Sequence, residues 1–472
     1  MKNTVSRGIL FYLLILLGTI LGIACILICI VMFSPGTKIF GVSYFRNNSV
    51  LKIEEFNASE VDVNQSISQY IADGRIQTIE IKSDYAEIDI ANTQAEKFFF
   101  TIDTNISGLS TAENPKDDNR FVYDYDYDAE NKIFSIEVDG PDSFLYLSKT
   151  ASITFNIPKT KGFASGNLNL ITESGNITLA NHTENNIVVA NLTADIGDNG
   201  QLFVSKNFDI SPEGKMTVEA KKGQIETLGT INASTVNIDA EGTKISLNEI
   251  VGDLSIDTKD STIKIAKVNK KFYYSAESGV LQVGTIVGDF ECSELVDISN
   301  IFVDKISGSA MLPKASASNV EIKHIEKDVL ISTTTGTIKL GELNGDVNLV
   351  TESGAITCLI DSKKTCTVKI ETKNGNIDAR FRTINGISTI ATTKGKIYFQ
   401  YDNSQAFGLE YACEKNKPQI SNAISSSSYE NSGFFAIGYD PSTDVKNKIT
   451  ITNTEGRSEF ENNLKTDYSV FN

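Results

Sequence analysis

One short phrase recurs along this chain: LNLITESGNITL (168–179), LSIDTKDSTIKI (254–265), LISTTTGTIKL (330–340), VNLVTESGAITC (347–358) and VKIETKNGNIDA (368–379). Each copy is two alternating apolar strands around a Thr-x-x-Gly turn. Gly223, Thr243, Ser261 and Gly279 mark its phase at steps of 20, 18 and 18, and Gly336, Gly354, Gly375 and Gly395 at steps of 18, 21 and 20. A unit of about 19 residues cannot bury its apolar face alone, but stacking the next unit about 4.8 Å above it does so and pairs the backbone. The spacing therefore predicts an all-β chain, a parallel β-solenoid with rungs of two strands each, behind an N-terminal transmembrane helix. Leu254, Ile256, Ile263, Ile265, Val347, Leu349, Ile356 and Cys358 are expected to point inward. From Thr172 to Thr392 there is room for about 11 to 12 rungs, some 55 Å of stacking.

A second mark keeps the same phase. Val251-Gly252-Asp253, Val287-Gly288-Asp289 and Asn344-Gly345-Asp346 read as tight corners, with positive φ at Gly and an Asp that bonds its own backbone. An asparagine ladder would suit such a rod. The Gly-Gly-x-Gly-x-Asp nonapeptide of calcium-binding rolls is missing.

Residues 1–8 read as a short cytoplasmic N-terminus. Ile9 to Phe33 carry no charge, and 25 helical residues span roughly 37 Å, more than the ~30 Å hydrocarbon core of a bilayer. Ser34-Pro35-Gly36 imitates a cleavage site poorly, so the segment is expected to stay as a signal anchor, single-pass in the cell membrane, with the C-terminal domain extracytoplasmic. Residues 34–58 come next as a juxtamembrane linker, 59–160 as an irregular β cap, 161–401 as the solenoid, and 402–472 as an irregular insertion with a closing rung at ITITNTEGRSEF (449–460). Three of the 43 basic residues and no acid fall within residues 1–40, so the remainder holds 40 basic against 60 acidic residues, net −20. Such a domain is unsuited to nucleic acid or anionic lipid and suits a cationic partner or simple solubility. Cys25 and Cys29 sit in the apolar segment; Cys292, Cys358, Cys366 and Cys413 read as buried thiols, with a Cys358–Cys366 bridge as the alternative.

The early strand pair, ITFNIPKTKG (153–162), LNLITESGNITL and the later Thr-x-x-Gly-x-Ile arches resemble the bacterial putative-adhesin domain with β-strand repeats, over roughly residues 76–460. The resemblance implies a membrane-anchored surface domain, in some cases tied to cell-envelope stress. It supplies no catalytic residues to carry over.

The residues themselves offer little chemistry. His182 and His324 bear no repeat-phase relation to any cysteine, and zinc, Walker and dinucleotide motifs are absent. Glu173-Ser174-Gly175 and Glu352-Ser353-Gly354 resemble half of a nucleophile elbow but lack the first glycine and read as turns. Asp253, Asp257, Glu277, Asp289, Glu352 and Glu371 are scattered acids on outer faces. Asp124, Asp126 and Asp128, interleaved with Tyr123, Tyr125 and Tyr127, are weak calcium candidates on one face of a strand; charge that keeps an edge strand from aggregating is the ordinary reading. No catalytic, cofactor or metal residue is assigned. The expectation is a non-enzymatic surface scaffold or recognition module that meets the membrane through Ile9 to Phe33 and an envelope polymer or cationic surface component through the rod. The alternatives are a polysaccharide-active enzyme on the solenoid flank, which would gather carboxylates and a base in one groove, and a calcium-stabilised structural rod.

Overall fold

The computed structural model describes residues 16–27, 29–30, 38–39, 42–57, 64–141, 146–180, 186–295, 299–316, 318–402, 404–420, 430–437, 446–462 and 464. The chain divides into two compact units, one of residues 1–162 with 169–177 and one of residues 163–168 with 178–472.

The second unit is the expected parallel β-solenoid. Among its described residues, eleven successive rungs run from Ile187 to Tyr401, each a strand on one face, an arch, and a strand on the other. Register fixes the stacking: Ile245, Ile263, Leu281, Ile301, Val320, Ile338, Ile356, Ile377 and Ile397 lie one above another at steps of 18 to 21 residues. All eight side chains expected inside are buried, none more than 2% exposed. Alternation within each strand makes this unavoidable, because one face turns into the core between the two sheets and the other meets water.

The arch explains the motif. Gly354, Gly375 and Gly395 donate their backbone N–H to the Thr Oγ1 three residues back, at 3.0, 3.0 and 3.1 Å. Thr372 and Thr392 then donate to the carbonyl of the glycine one rung below, at 3.3 and 3.2 Å. A side chain at Gly375 would put its Cβ 1.8 Å from the Gly354 carbonyl oxygen. Threonine thus satisfies two buried backbone groups, and glycine lets the rungs close.

The corners differ from expectation. Gly252, Gly288 and Gly345 are absent from the positive-φ residues; a Cβ on Gly252 would instead meet the Ala233 carbonyl oxygen at 2.1 Å. Close approach, not handedness, requires glycine there. Nor do the aspartates bond their own backbone. Asp253, Asp289 and Asp346 accept the N–H of Lys271, Ser309 and Thr367 in the next rung, at 3.1, 2.9 and 2.6 Å.

The C-terminal order also needs correcting. The 402–420 stretch, expected to be irregular, holds a full rung, Phe407–Cys413 and Gln419–Ile420. The expected closing rung, Lys448–Asn453 with Ser458–Glu461, slots in between it and the 386–401 rung, parallel to both. Ser432–Ile437 then lies antiparallel along Phe407–Cys413.

In the first unit the residues read as linker and cap form one folded body. Val42–Ile53 pairs antiparallel with Phe99–Ser110, which pairs antiparallel with Tyr146–Pro158. The early strand pair, Thr78–Ser83 and Glu87–Thr93, which could have been a hairpin or an arch, is an arch with its strands on opposite sheets. Phe56, Tyr70, Phe100, Phe134 and Phe155 fill the core, with ring centroids such as Phe100–Phe155 at 4.7 Å and Phe56–Phe134 at 5.0 Å.

Residues 16–27 and 29–30 are helical, and Leu16, Leu17, Ile20, Leu21, Ile23 and Ile26 are each more than half exposed. No described helix is long and apolar enough to cross a membrane. The remainder of the Ile9 to Phe33 segment lies outside the described residues.

Candidate recognition surface

Outward-facing positions of the solenoid strands are mostly charged or hydroxylated; Phe302 and Ile387 are exposed singly, and one column gathers several apolar side chains. Register stacks Ser255, Tyr273, Glu291, Met311 and Leu330 on successive rungs of one sheet. Tyr273 and Met311 are 36% and 40% exposed, and with Leu330 and Pro313 they line a depression of about 650 Å³. Asp257, Glu291, Ser275 and Ser293 supply its polar groups, and Ile256, Tyr274 and Cys292 underlie it.

The depression forms where the ladder loosens. The register shifts after Tyr274, and the 290–295 and 310–312 strands share just two residue pairs, Phe290 with Ala310 and Glu291 with Met311. Pro313 cannot donate to a ladder, so the strand ends there. Lys271 lies at the rim, its Nζ 3.6 Å from Glu291 Oε1 and 5.9 Å from the Tyr273 ring centroid. Beneath, burial pushes the Tyr274 phenol well up, and its hydroxyl has no hydrogen-bond partner. An apolar, aromatic floor with carboxylates at the rim can hold a surface that is part apolar and part cationic or hydroxylated.

The other expected residues are dispersed. Glu277 pairs with Lys259 at 3.6 Å and Glu371 with Lys369 at 2.8 Å, while Asp253 and Asp289 serve the corners. Ser174 Oγ donates to the Asp84 carbonyl at 2.9 Å, and Ser353 Oγ to the Thr334 carbonyl at 3.4 Å, as turn residues would. Asp124, Asp126 and Asp128 lie on Val122–Asp128, which pairs antiparallel with Ile133–Asp139. Alternate residues of a strand stand nearly 7 Å apart, too far for the three to close on one ion. Asp124 accepts the Tyr125 N–H at 2.9 Å. Asp128 accepts the N–H groups of Glu130 and Asn131, each at 3.0 Å, and these turn contacts, Asn131 foremost, hold its carboxyl below the usual range. Among the described residues no group of three His, Cys, Asp or Glu side chains is placed to hold a metal ion. Cys292, Cys358, Cys366 and Cys413 are buried and in no disulfide, so Cys358 and Cys366 are not bridged; burial raises the last three thiols. His182 lies outside the described residues.

One gathering of charge escaped the sequence reading. On the opposite sheet Arg382 Nη1 lies 2.7 Å from Asp361 Oδ2 and 3.1 Å from Glu342 Oε1, and His324 Nδ1 lies 3.2 Å from Glu342 Oε2. Arg380 grips Asp378 with two nitrogens at 2.8 and 3.0 Å, and that contact raises its own pKa further. The signal was present in the phase: Glu342, Asp361 and Arg382 each sit at or just past the second strand of successive rungs.

The Toastrack family model, DUF4097, matches residues 262–456. The Toastrack match therefore runs from the second strand of one rung to the arch glycine of the inserted rung, and it contains Tyr273, Met311 and Leu330. It agrees with the resemblance to the putative-adhesin β-repeat domain. No curated protein matches the chain. A crystal structure of a putative cell adhesion protein from Clostridium sporogenes aligns over 88% of this chain and 99% of that one, at 6% identity and a TM-score of 0.15, too loose a likeness to carry an argument.

Proposed function

We propose that this chain is a membrane-tethered recognition scaffold of the cell envelope that binds without turnover. The observation that carries the reading is the pair of exposed apolar side chains Tyr273 and Met311, two rungs apart with Glu291 between them and Leu330 partly exposed on the next rung, on a solenoid whose other outward positions are mainly charged or hydroxylated. Regularly stacked rungs favour a polymeric or multivalent partner, and a net charge of −20 beyond the first 40 residues favours a cationic one, bound less tightly as salt screens it. The exposed apolar helix at 16–27 supports tethering. A part in envelope-stress sensing belongs to the same reading, since a rod held at the membrane is placed to meet displaced wall or surface components.

The enzyme alternative has one observation in its favour, the acids and arginines gathered around Arg382. Their mutual ion pairs at 2.7 to 3.1 Å leave those carboxylates engaged with cations, which supports a structural role. The test is binding of the full chain in detergent to cell-wall polymers and cationic peptides across a salt series, beside a glycan-cleavage screen. Binding that weakens with salt and is lost in Tyr273→Ala is expected. Reproducible glycan cleavage abolished by Asp257→Asn or Asp361→Asn would replace the scaffold with the enzyme.

A further inference from the structure

The rung that lies last but one in space is last in the sequence. Residues 448–453 lie parallel to 387–392 on one edge and to 408–413 on the other. Ile390 and Tyr411 flank Ile451, and Thr392 and Cys413 flank Asn453. Ile449, Ile451, Asn453, Ser458 and Phe460 are at most 1% exposed. Phe460 packs between Phe399 and Tyr411, at 6.2 and 5.9 Å. Lys396–Glu459 at 2.9 Å and Lys415–Glu455 at 2.7 Å close its two sides.

The arch chemistry decides which segment sits here. Gly456 stacks on Gly395, where a Cβ would come 1.8 Å from the Gly395 carbonyl oxygen. Asn453 takes the threonine's part: its Oδ1 accepts the Gly456 N–H at 2.8 Å, and its Nδ2 donates to the Gly395 carbonyl at 3.2 Å. The arch of the 407–420 rung, Glu414-Lys415-Asn416-Lys417-Pro418, has no glycine and lacks the Asn453–Gly456 pattern that meets Gly395. The 386–401 and 407–420 rungs thus bound a slot one rung high. The contacts described for its occupant lie within 448–460.

We infer that this slot accepts the same segment from a second copy of the chain, so that two copies link by exchanging rungs. The exchanged segment keeps its contacts with the two rungs that bound the slot, so rising concentration shifts the balance from self-insertion toward exchange. This is independent of the recognition role above.

The test unfolds two pools of full-length chain together, one carrying an affinity tag, refolds them at rising concentration and captures the tag. Untagged chain should be captured in a share that grows with concentration and falls about tenfold in excess synthetic peptide 446–462, with a Gly456→Val peptide at least about tenfold less effective. The peptide arm needs no altered protein, so it stands even if a Gly456→Val chain fails to fold. Capture absent at every concentration would overturn the exchange, as would capture indifferent to the peptide or equally sensitive to both peptides.

Discussion

At the residue scale the fold rests on a few side chains used repeatedly. Thr372 accepts the Gly375 N–H at 3.0 Å and donates to the Gly354 carbonyl at 3.3 Å, all out of reach of water. Thr372→Val keeps the shape and loses both bonds, so it should cost about 1–3 kcal/mol, whereas Lys373→Ala, exposed next door, should stay within about 0.5. Urea titration of both variants measures the difference, and equal midpoints would mean the arch does not depend on the hydroxyl. Strand phase has its own check. Ile356 is fully buried and Thr357 partly exposed. Ile356→Asp should cost roughly 4 kcal/mol or more through a buried, unpaired charge, and Thr357→Asp about 0.5. Similar melting shifts for the two would place the strand out of phase.

Elements show where the sequence was readable and where it was not. The rungs were legible because apolar alternation and the Thr-x-x-Gly arch report the same phase, as at Val347–Cys358. The 407–420 rung was hidden because its arch lacks that motif, although Phe407, Leu409 and Tyr411 alternate inward. Its place beyond the 448–461 rung was equally hidden, since sequence order says nothing about which glycine meets Gly395. The Val42–Ile53 strand was read as linker because Arg46-Asn47-Asn48-Ser49 breaks its apolar pattern; it is held by pairing with Phe99–Ser110, a partner that no local signal names. The Tyr273 depression depends on a register shift, which spacing alone does not reveal. Ion pairs between rungs add a pH response. Glu249 is held below its ordinary 4.5 by hydrogen bonds from Lys267 at 2.9 Å and Asn269 at 2.8 Å. Because its folded value is depressed, its contribution is full above about pH 4.5 and is lost as pH falls through that lower value. Glu249→Gln should therefore melt below wild type at pH 6 and approach it as the pH falls well below 4.5. A gap that does not change with pH would mean the carboxylate's charge is irrelevant.

For the whole molecule, the N-terminal apolar segment and the acidic remainder make opposite demands of their surroundings, and both are met if the segment sits in a bilayer with the rest outside. Protease added to intact protoplasts should then remove the folded units and leave a membrane-bound N-terminal fragment; full protection would reverse the orientation. The order of the last rungs also has a consequence for how the molecule is made. A chain that appears N-terminus first can lay rung upon rung as far as Tyr401, and the next stretch to arrive belongs one level too high. Its place stays unfilled until the strand that starts at Lys448 has emerged. If the chain is threaded through a membrane, that end of the solenoid cannot close before its final segment has cleared the pore. Closure of this one rung would then report that residues 448–461 have crossed.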